Sequence, residues 1–218
     1  MNYTESLAYL DSLGKFGIKL GMERIEGLLR ELGNPEQKIK TVHVTGTNGK
    51  GSVTSMITNI LLAANLKVGK FTSPHLVKYN ERINLNGKDI SDEDFATAIT
   101  AVKVAADSVV KKGVCEQPTQ FEILTAAAFL YFYLQKVDYA VIEVGMGGLW
   151  DSTNVITPVV SVITNVALDH TDRCGKTLER IAMQKAGIIK EKVPLVTAAE
   201  GNEALGPIVS LAMFKEAP

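Results

Sequence analysis

At 218 residues and 23.6 kDa, with 46% hydrophobic and 22% charged residues, the chain is long enough to bury a core as one large domain or two small ones. A formal net charge of -1, from 23 Lys+Arg against 24 Asp+Glu, leaves no broad basic field and argues against nucleic acid as a partner. Cys115 and Cys174 lie too far apart for a C-x-x-C metal site or a disulfide framework, and there is no basic-then-apolar leader or long apolar run, so a cytoplasmic protein off the membrane is expected.

Residues 4–32 carry a helical pattern, with Leu7, Leu10 and Leu13 early and Ile25, Leu28, Leu29 and Leu32 later. Glycines around Gly14 to Gly21 separate the two halves, Gly33-Asn34-Pro35 ends the second, and the segment is expected to pack beside the strand that follows. Residues 41–65 read as strand, glycine-rich turn and helix. Val42 and Val44 alternate with Thr41, His43 and Thr45, then Gly46-Thr47-Asn48-Gly49-Lys50-Gly51-Ser52 breaks the strand. Val53, Met56, Ile57, Ile60, Leu61 and Ala64 fall on one face of the helix and predict its buried side.

Three glycines in six residues let backbone N–H groups converge on an anion at a helix N-terminus; Lys50 adds a mobile cation and Ser52 a hydroxyl. The turn is therefore a candidate phosphate loop. The signature G-x-x-x-x-G-K-[ST] fails at Val44 and Gly51, and an ordinary tight strand-to-helix turn is the alternative.

A short strand at 67–72 runs into Ser73-Pro74-His75 and the polar segment 79–84. Ser91 with three acids after it starts a helix to about Lys112, whose lysine pair reads as a solvated helix end, and a second helix starts near Thr119 with Phe121, Leu124, Ala128, Leu130 and Phe132 inward. Residues 139–144 form a nearly continuous apolar strand interrupted by Glu143, and a carboxylate there is out of place in a core. Residues 158–166 form another strand, leading to Asp169 and His170; a helix over 177–186, a strand over 193–197 and a helix-like 206–215 follow. The alternation predicts an α/β fold, a doubly wound and mostly parallel sheet flanked by helices.

Ligands collect at the carboxyl ends of parallel strands, and here those ends bring Lys50, Ser52, Ser73, Glu143, Asp169 and His170 to one edge. Ser73 and Glu143 offer the hard oxygens Mg²⁺ takes, and His170 would suit Mn²⁺ as well. His43 reads as a satisfied core or edge histidine, His75 fits either role, and Trp150 either packs or stacks on a flat ligand.

Six segments in order give the chain a family likeness: HVTGTNGKGS at 43–52; TSPH at 72–75 with NERI at 80–83; TQFE at 119–122; EVGMGG at 143–148 with DSTN at 151–154; ITN at 163–165 with LDH at 168–170; and KAGIIK at 185–190. With them it resembles the folylpolyglutamate synthases of the Mur ligase superfamily, including the bifunctional dihydrofolate synthase form. The resemblance implies a P-loop-containing sheet of the Mur ligase central-domain type and a cytoplasmic, monomeric ligase. It also implies ATP-dependent addition of L-glutamate to the γ-carboxyl of a reduced folate, and by extension to dihydropteroate, through an acyl phosphate.

By position, Gly46, Thr47, Asn48, Gly49, Lys50, Gly51 and Ser52 would hold ATP, and Ser73, Glu143 and His170 would hold Mg²⁺. Lys185 would be the lysine that the family carbamylates, so Lys50, Lys185 and His170 are the expected catalytic set. The implied folate-side residues are Pro74, His75, Arg82, Thr119, Gln120, Phe121, Glu122, Trp150, Asp151 and Ser152. Family members are about twice this length, so residues 1–218 are expected to form the ATP-binding domain, incomplete at its C-terminal end and without the C-terminal ligase domain. Leu149-Trp150 stands where many relatives have Arg-Leu. The alternative is a truncated nucleotide-binding fragment without turnover.

Overall fold

Strand β1, Thr41–Thr45, is buried at all five residues because it has parallel neighbours on both edges and covered faces on both sides. The computed structural model describes residues 1–14, 21–168 and 175–218. Among these, the other strands are β2 (Val68–Phe71), β3 (Ile83–Leu85), β4 (Lys88–Asp89), β5 (Tyr139–Glu143), β6 (Val160–Ile163) and β7 (Leu195–Thr197). Their order is β4-β3-β2-β5-β1-β6-β7; the pairs from β2 to β7 are parallel, while β3 and β4 add an antiparallel edge. The doubly wound, mostly parallel expectation holds. The β3–β4 hairpin is an addition to it, turning at Asn86 and Gly87, both with positive φ.

Register sets where the site lies. Val44 sits opposite Glu143, Phe71 opposite Ile142 and Thr45 opposite Ile163, so four parallel strands end at the same level. The loops that follow them leave the sheet at one edge.

Helix α1 (Tyr3–Leu13) opens on a capping box between Asn2 and Glu5, and α2 is Glu23–Glu31. Contrary to the expectation, these two do not flank β1. They pack on α4 (Asp92–Lys111) and α5 (Gln120–Leu134), forming with β2 and β5 a core in which Phe71, Phe95, Phe129 and Phe132 are each less than 2% exposed. Each such ring contributes roughly 1.5–3 kcal/mol by leaving water. α6 (Leu178–Ala186) and α7 (Asn202–Phe214) pack on each other and, with Val144, Ile163 and Ile188, form a second core. α7 starts earlier than its sequence pattern suggests and takes Pro207 inside it.

Helix α3 (Lys50–Ala63) covers Val42, Val44, Val68 and Val141 on the other side of the sheet. Its predicted buried face is only half right. Val53, Ile57 and Leu61 turn inward with fully buried Thr54 and Thr58, whereas Met56 is 63% and Ile60 69% exposed. Thr58 can be buried because a side-chain hydroxyl in a helix can bond the preceding turn, and its Oγ1 donates to the Thr54 carbonyl at 2.8 Å; Thr54 Oγ1 is buried without a partner among the described residues.

Candidate active site

The candidate phosphate loop joins β1 to α3. Gly49, with φ 78°, caps the helix without a side-chain bond, and the N–H groups of the first turn of α3 have no partners within the helix. Lys50 curls back over the loop, its Nζ donating to the carbonyls of Gly46 at 3.0 Å and Thr47 at 3.2 Å. That ties the ammonium to the loop it would serve and holds it beside the helix N-terminus.

A second segment clamps the loop from the end of β6. Asn165 accepts the Thr47 N–H on its carbonyl at 3.0 Å and the Asn48 N–H on Oδ1 at 2.9 Å. Thr164 Oγ1 donates to the Asn48 carbonyl, and the Thr47 hydroxyl donates to the Ala167 carbonyl and accepts the Ala167 N–H. Thr47 and Asn48 therefore shape the loop with their N–H groups already engaged. An anion is left to the helix-end N–H groups, Lys50 and Ser52. Sequence reasoning quoted Thr164 and Asn165 without a role; their place directly after a buried strand is the signal that pointed to one.

Glu143 ends β5 at 4% exposure. Burial raises its carboxyl above the usual carboxylate range, opposed by the Ser73 N–H, 3.3 Å from Oε2, and by Lys50 and Lys70. Among the described residues this buried carboxylate accepts one long hydrogen bond, which leaves its oxygens free to face a metal beside the phosphate loop. With the Ser73 hydroxyl nearby it supplies the hard-oxygen donors of a site that keeps several waters, so these residues fit Mg²⁺. Asp169 and the expected third ligand, His170, lie outside the described residues, as does Cys174. Lys185 is in the last turn of α6, 5% exposed. An open hollow of about 800 Å³ runs from Gly51 and Ser52 along the outer side of α3 past Ser55, Met56, Asn59 and Ile60.

The residues expected on the folate side divide into two groups. Thr119 and Glu122 form the capping box of α5, and both Glu122 oxygens lie 3.1 Å from Arg24 Nε, an ion pair with 2% and 9% side-chain exposure. Their polar atoms are committed to the fold, and Arg24, 98 positions away, is the partner that the sequence did not disclose. Gln120 is also tied down, donating to the Leu10 carbonyl and the Tyr79 hydroxyl.

The other group lies along the strand-end loops. Arg82 Nε donates to His75 Nδ1 at 2.8 Å, so His75 is neutral with its proton on Nε2, consistent with burial and Arg82 lowering its pKa. The His75 ring packs against Tyr79 with centroids 4.4 Å apart and planes tilted by 49°. Pro74 is exposed, Phe121 is half-buried with its ring 6.0 Å from Phe71, and Trp150 is 48% exposed. Asp151 is buried and turned into its own loop, accepting from Met146 N–H and Thr153 N–H; Ser152 starts the short helical turn behind it. Gly148 lets this loop touch α6, since a Cβ there would stand 2.8 Å from the Gln184 carbonyl, to which Leu149 N–H donates.

Residues 44–202 match the family of the Mur ligase middle domain. The dihydrofolate synthase/folylpolyglutamate synthase of Bacillus subtilis is 47% identical over 206 residues, covering 93% of this chain and 47% of that protein. The folylpolyglutamate synthase of Lacticaseibacillus casei is 47% identical over 197 residues, covering 90% and 46%. A solved structure described as an FPGS-AMPPCP-folate complex superposes with a TM-score of 0.93 at 43% identity, covering 100% of this chain and 53% of that one. The chain spans about half the length of these relatives.

Proposed function

This chain belongs to the Mur ligase family by its middle domain, and we propose that it is an ATP-dependent ligase that adds L-glutamate to the γ-carboxyl of a reduced folate. One observation carries this reading: strand register brings Lys50, the N-terminus of α3, Ser73 and buried Glu143 to one level at the carboxyl edge of the sheet. The likeness to proteins named for that activity supports the choice of substrate.

In this reading the N–H groups opening α3 and the Lys50 ammonium hold the nucleotide phosphates, and Ser52 adds a hydroxyl. Glu143 and Ser73, with His170, would hold Mg²⁺, which when bound offsets phosphate charge. The γ-phosphoryl group passes to the folate carboxylate, releasing ADP. The glutamate amine then attacks the acyl carbon, and phosphate leaves as the amide forms. Lys50 serves the first step by following the charge that moves onto the transferring oxygens. His75, Arg82, Phe121, Trp150 and Ser152 are assigned to the folate end, with Pro74, Thr119, Gln120, Glu122 and the buried Asp151 shaping its walls. Carbamylation of Lys185, 5% exposed in the last turn of α6, would turn its ammonium into an anion able to partner a metal, and intact mass measured in bicarbonate tests it.

The chain spans about half the length of these relatives, and the second reading is that residues 1–218 bind nucleotide without turnover. Calorimetric titration with AMPPCP and then a reduced folate, beside an ADP-release assay with and without L-glutamate, separates the two. Binding with glutamate-stimulated ADP release supports the ligase, and binding alone supports the fragment. ADP release indifferent to folate and glutamate would make it a generic ATPase.

A further inference from the structure

His43 lies at the centre of β1, three residues before the phosphate loop, and is fully buried. Burying an imidazole is costly unless it is bonded, and Val42 and Val44 show what the strand otherwise uses. Among the described residues the ring makes one bond, with Nε2 2.9 Å from Thr153 Oγ1, while Nδ1 is buried without a partner. Thr153 has a single hydroxyl proton and donates it to Asp151 Oδ1. Its oxygen therefore accepts from the ring, and His43 is neutral with its proton on Nε2. Burial and Lys190 lower its pKa to about 3, in keeping with this.

The chain of bonds continues into the loop after β5. Asp151 accepts the Thr153 N–H at 3.0 Å on Oδ1 and the Met146 N–H at 2.8 Å on Oδ2, joining the loop's two ends through one buried carboxylate. Thr45, on the same face of β1 as His43, donates to the Gly147 carbonyl at 2.7 Å. β1 thus holds the loop at two points. The residues held between them include Leu149 and Trp150, 37% and 48% exposed.

We propose that His43 is a positioning residue: through Thr153 and Asp151 it fixes the 145–151 loop, and with it Trp150, at the folate end of the site. The inference rests on the assignment of that loop to folate. The phosphate loop, clamped separately by Asn165 and Thr164, should not share the effect.

Trp150 is the only tryptophan in the chain, so its fluorescence reports this loop directly and without turnover. A glutamine amide reaches where Nε2 lies and an asparagine amide only where Nδ1 lies. In the 218-residue chain, His43→Leu and His43→Asn should shift Trp150 emission to the red and raise its quenching by acrylamide, with His43→Gln restoring both. Reduced-folate affinity should fall roughly tenfold in the first two, the scale of one buried hydrogen bond, with AMPPCP affinity unchanged. If the strand variants do not fold, Thr153→Val against Thr153→Ser makes the same comparison from the other end. Wild-type emission and folate affinity in both His43→Leu and Thr153→Val overturn the inference. A wild-type chain that binds no reduced folate overturns the folate assignment instead, and the emission comparison still decides whether His43 positions the loop.

Discussion

The carboxylate of Glu143 stands 3.6 Å from the point where a side chain at Gly51 would begin. A Cβ there meets both carboxylate oxygens at ordinary contact distance, so it fits but covers the flank on which Glu143 faces the phosphate loop. Gly51 stands where the general phosphate-loop signature has Ser or Thr, and as glycine it leaves that flank open. Gly51→Ala should therefore keep or slightly raise the melting temperature, since Ala is favoured over Gly in a helix by up to about 1 kcal/mol. Mg²⁺-dependent AMPPCP affinity should fall by about tenfold, roughly 1.4 kcal/mol. Calorimetry with and without Mg²⁺ checks both, and equal affinities would separate Glu143 from the metal.

Lys50→Ala removes the ammonium that lies over Gly46 and Thr47. Its effect should be on turnover rather than folding: thermal unfolding close to wild type and ADP release lower by roughly 10²-fold or more, as for loss of one preorganised donor. Turnover retained in this variant would remove the phosphate loop from the mechanism.

Arg24→Ala strands Glu122 in a site only 2% exposed. Breaking a buried pair on one side costs about 3–5 kcal/mol, so urea unfolding should shift strongly. Replacing both residues with apolar ones of similar volume should recover much of that loss. A shift below about 1 kcal/mol for Arg24→Ala would mean that the pair is effectively solvated.

Acid stability should carry the mark of His43. Its pKa falls from 6.5 to about 3 on folding, so between those values the unfolded chain binds a proton the folded one does not. Stability from this group is thus full above pH 6.5 and is lost as pH falls toward about 3. His43→Gln should flatten the unfolding-midpoint curve across that window. Coincident curves would show that the ring charges without unfolding.

The central motif was legible because its signals are local. Alternation in 41–45, glycines at the break and a helix after it reproduce β1, the loop and α3, and the apolar run at 139–144 marked a strand buried on both sides. What escaped depends on long-range pairing or on competition between faces. Met56 and Ile60 fit the apolar period, yet Thr54 and Thr58 occupy the sheet side. Arg24 with Glu122, and His43 with Thr153, join positions about a hundred apart, which no local period reports. The Asn86-Gly87 turn is a missed local signal: a strong hairpin dipeptide between short strands.

The most direct test is mass spectrometry of a reduced folate incubated with this chain, Mg²⁺-ATP and L-glutamate, with ADP measured in parallel. The ligase reading predicts a product heavier by one glutamyl residue, formed in step with ADP and absent without glutamate. ADP accumulating while the folate mass stays unchanged would contradict it.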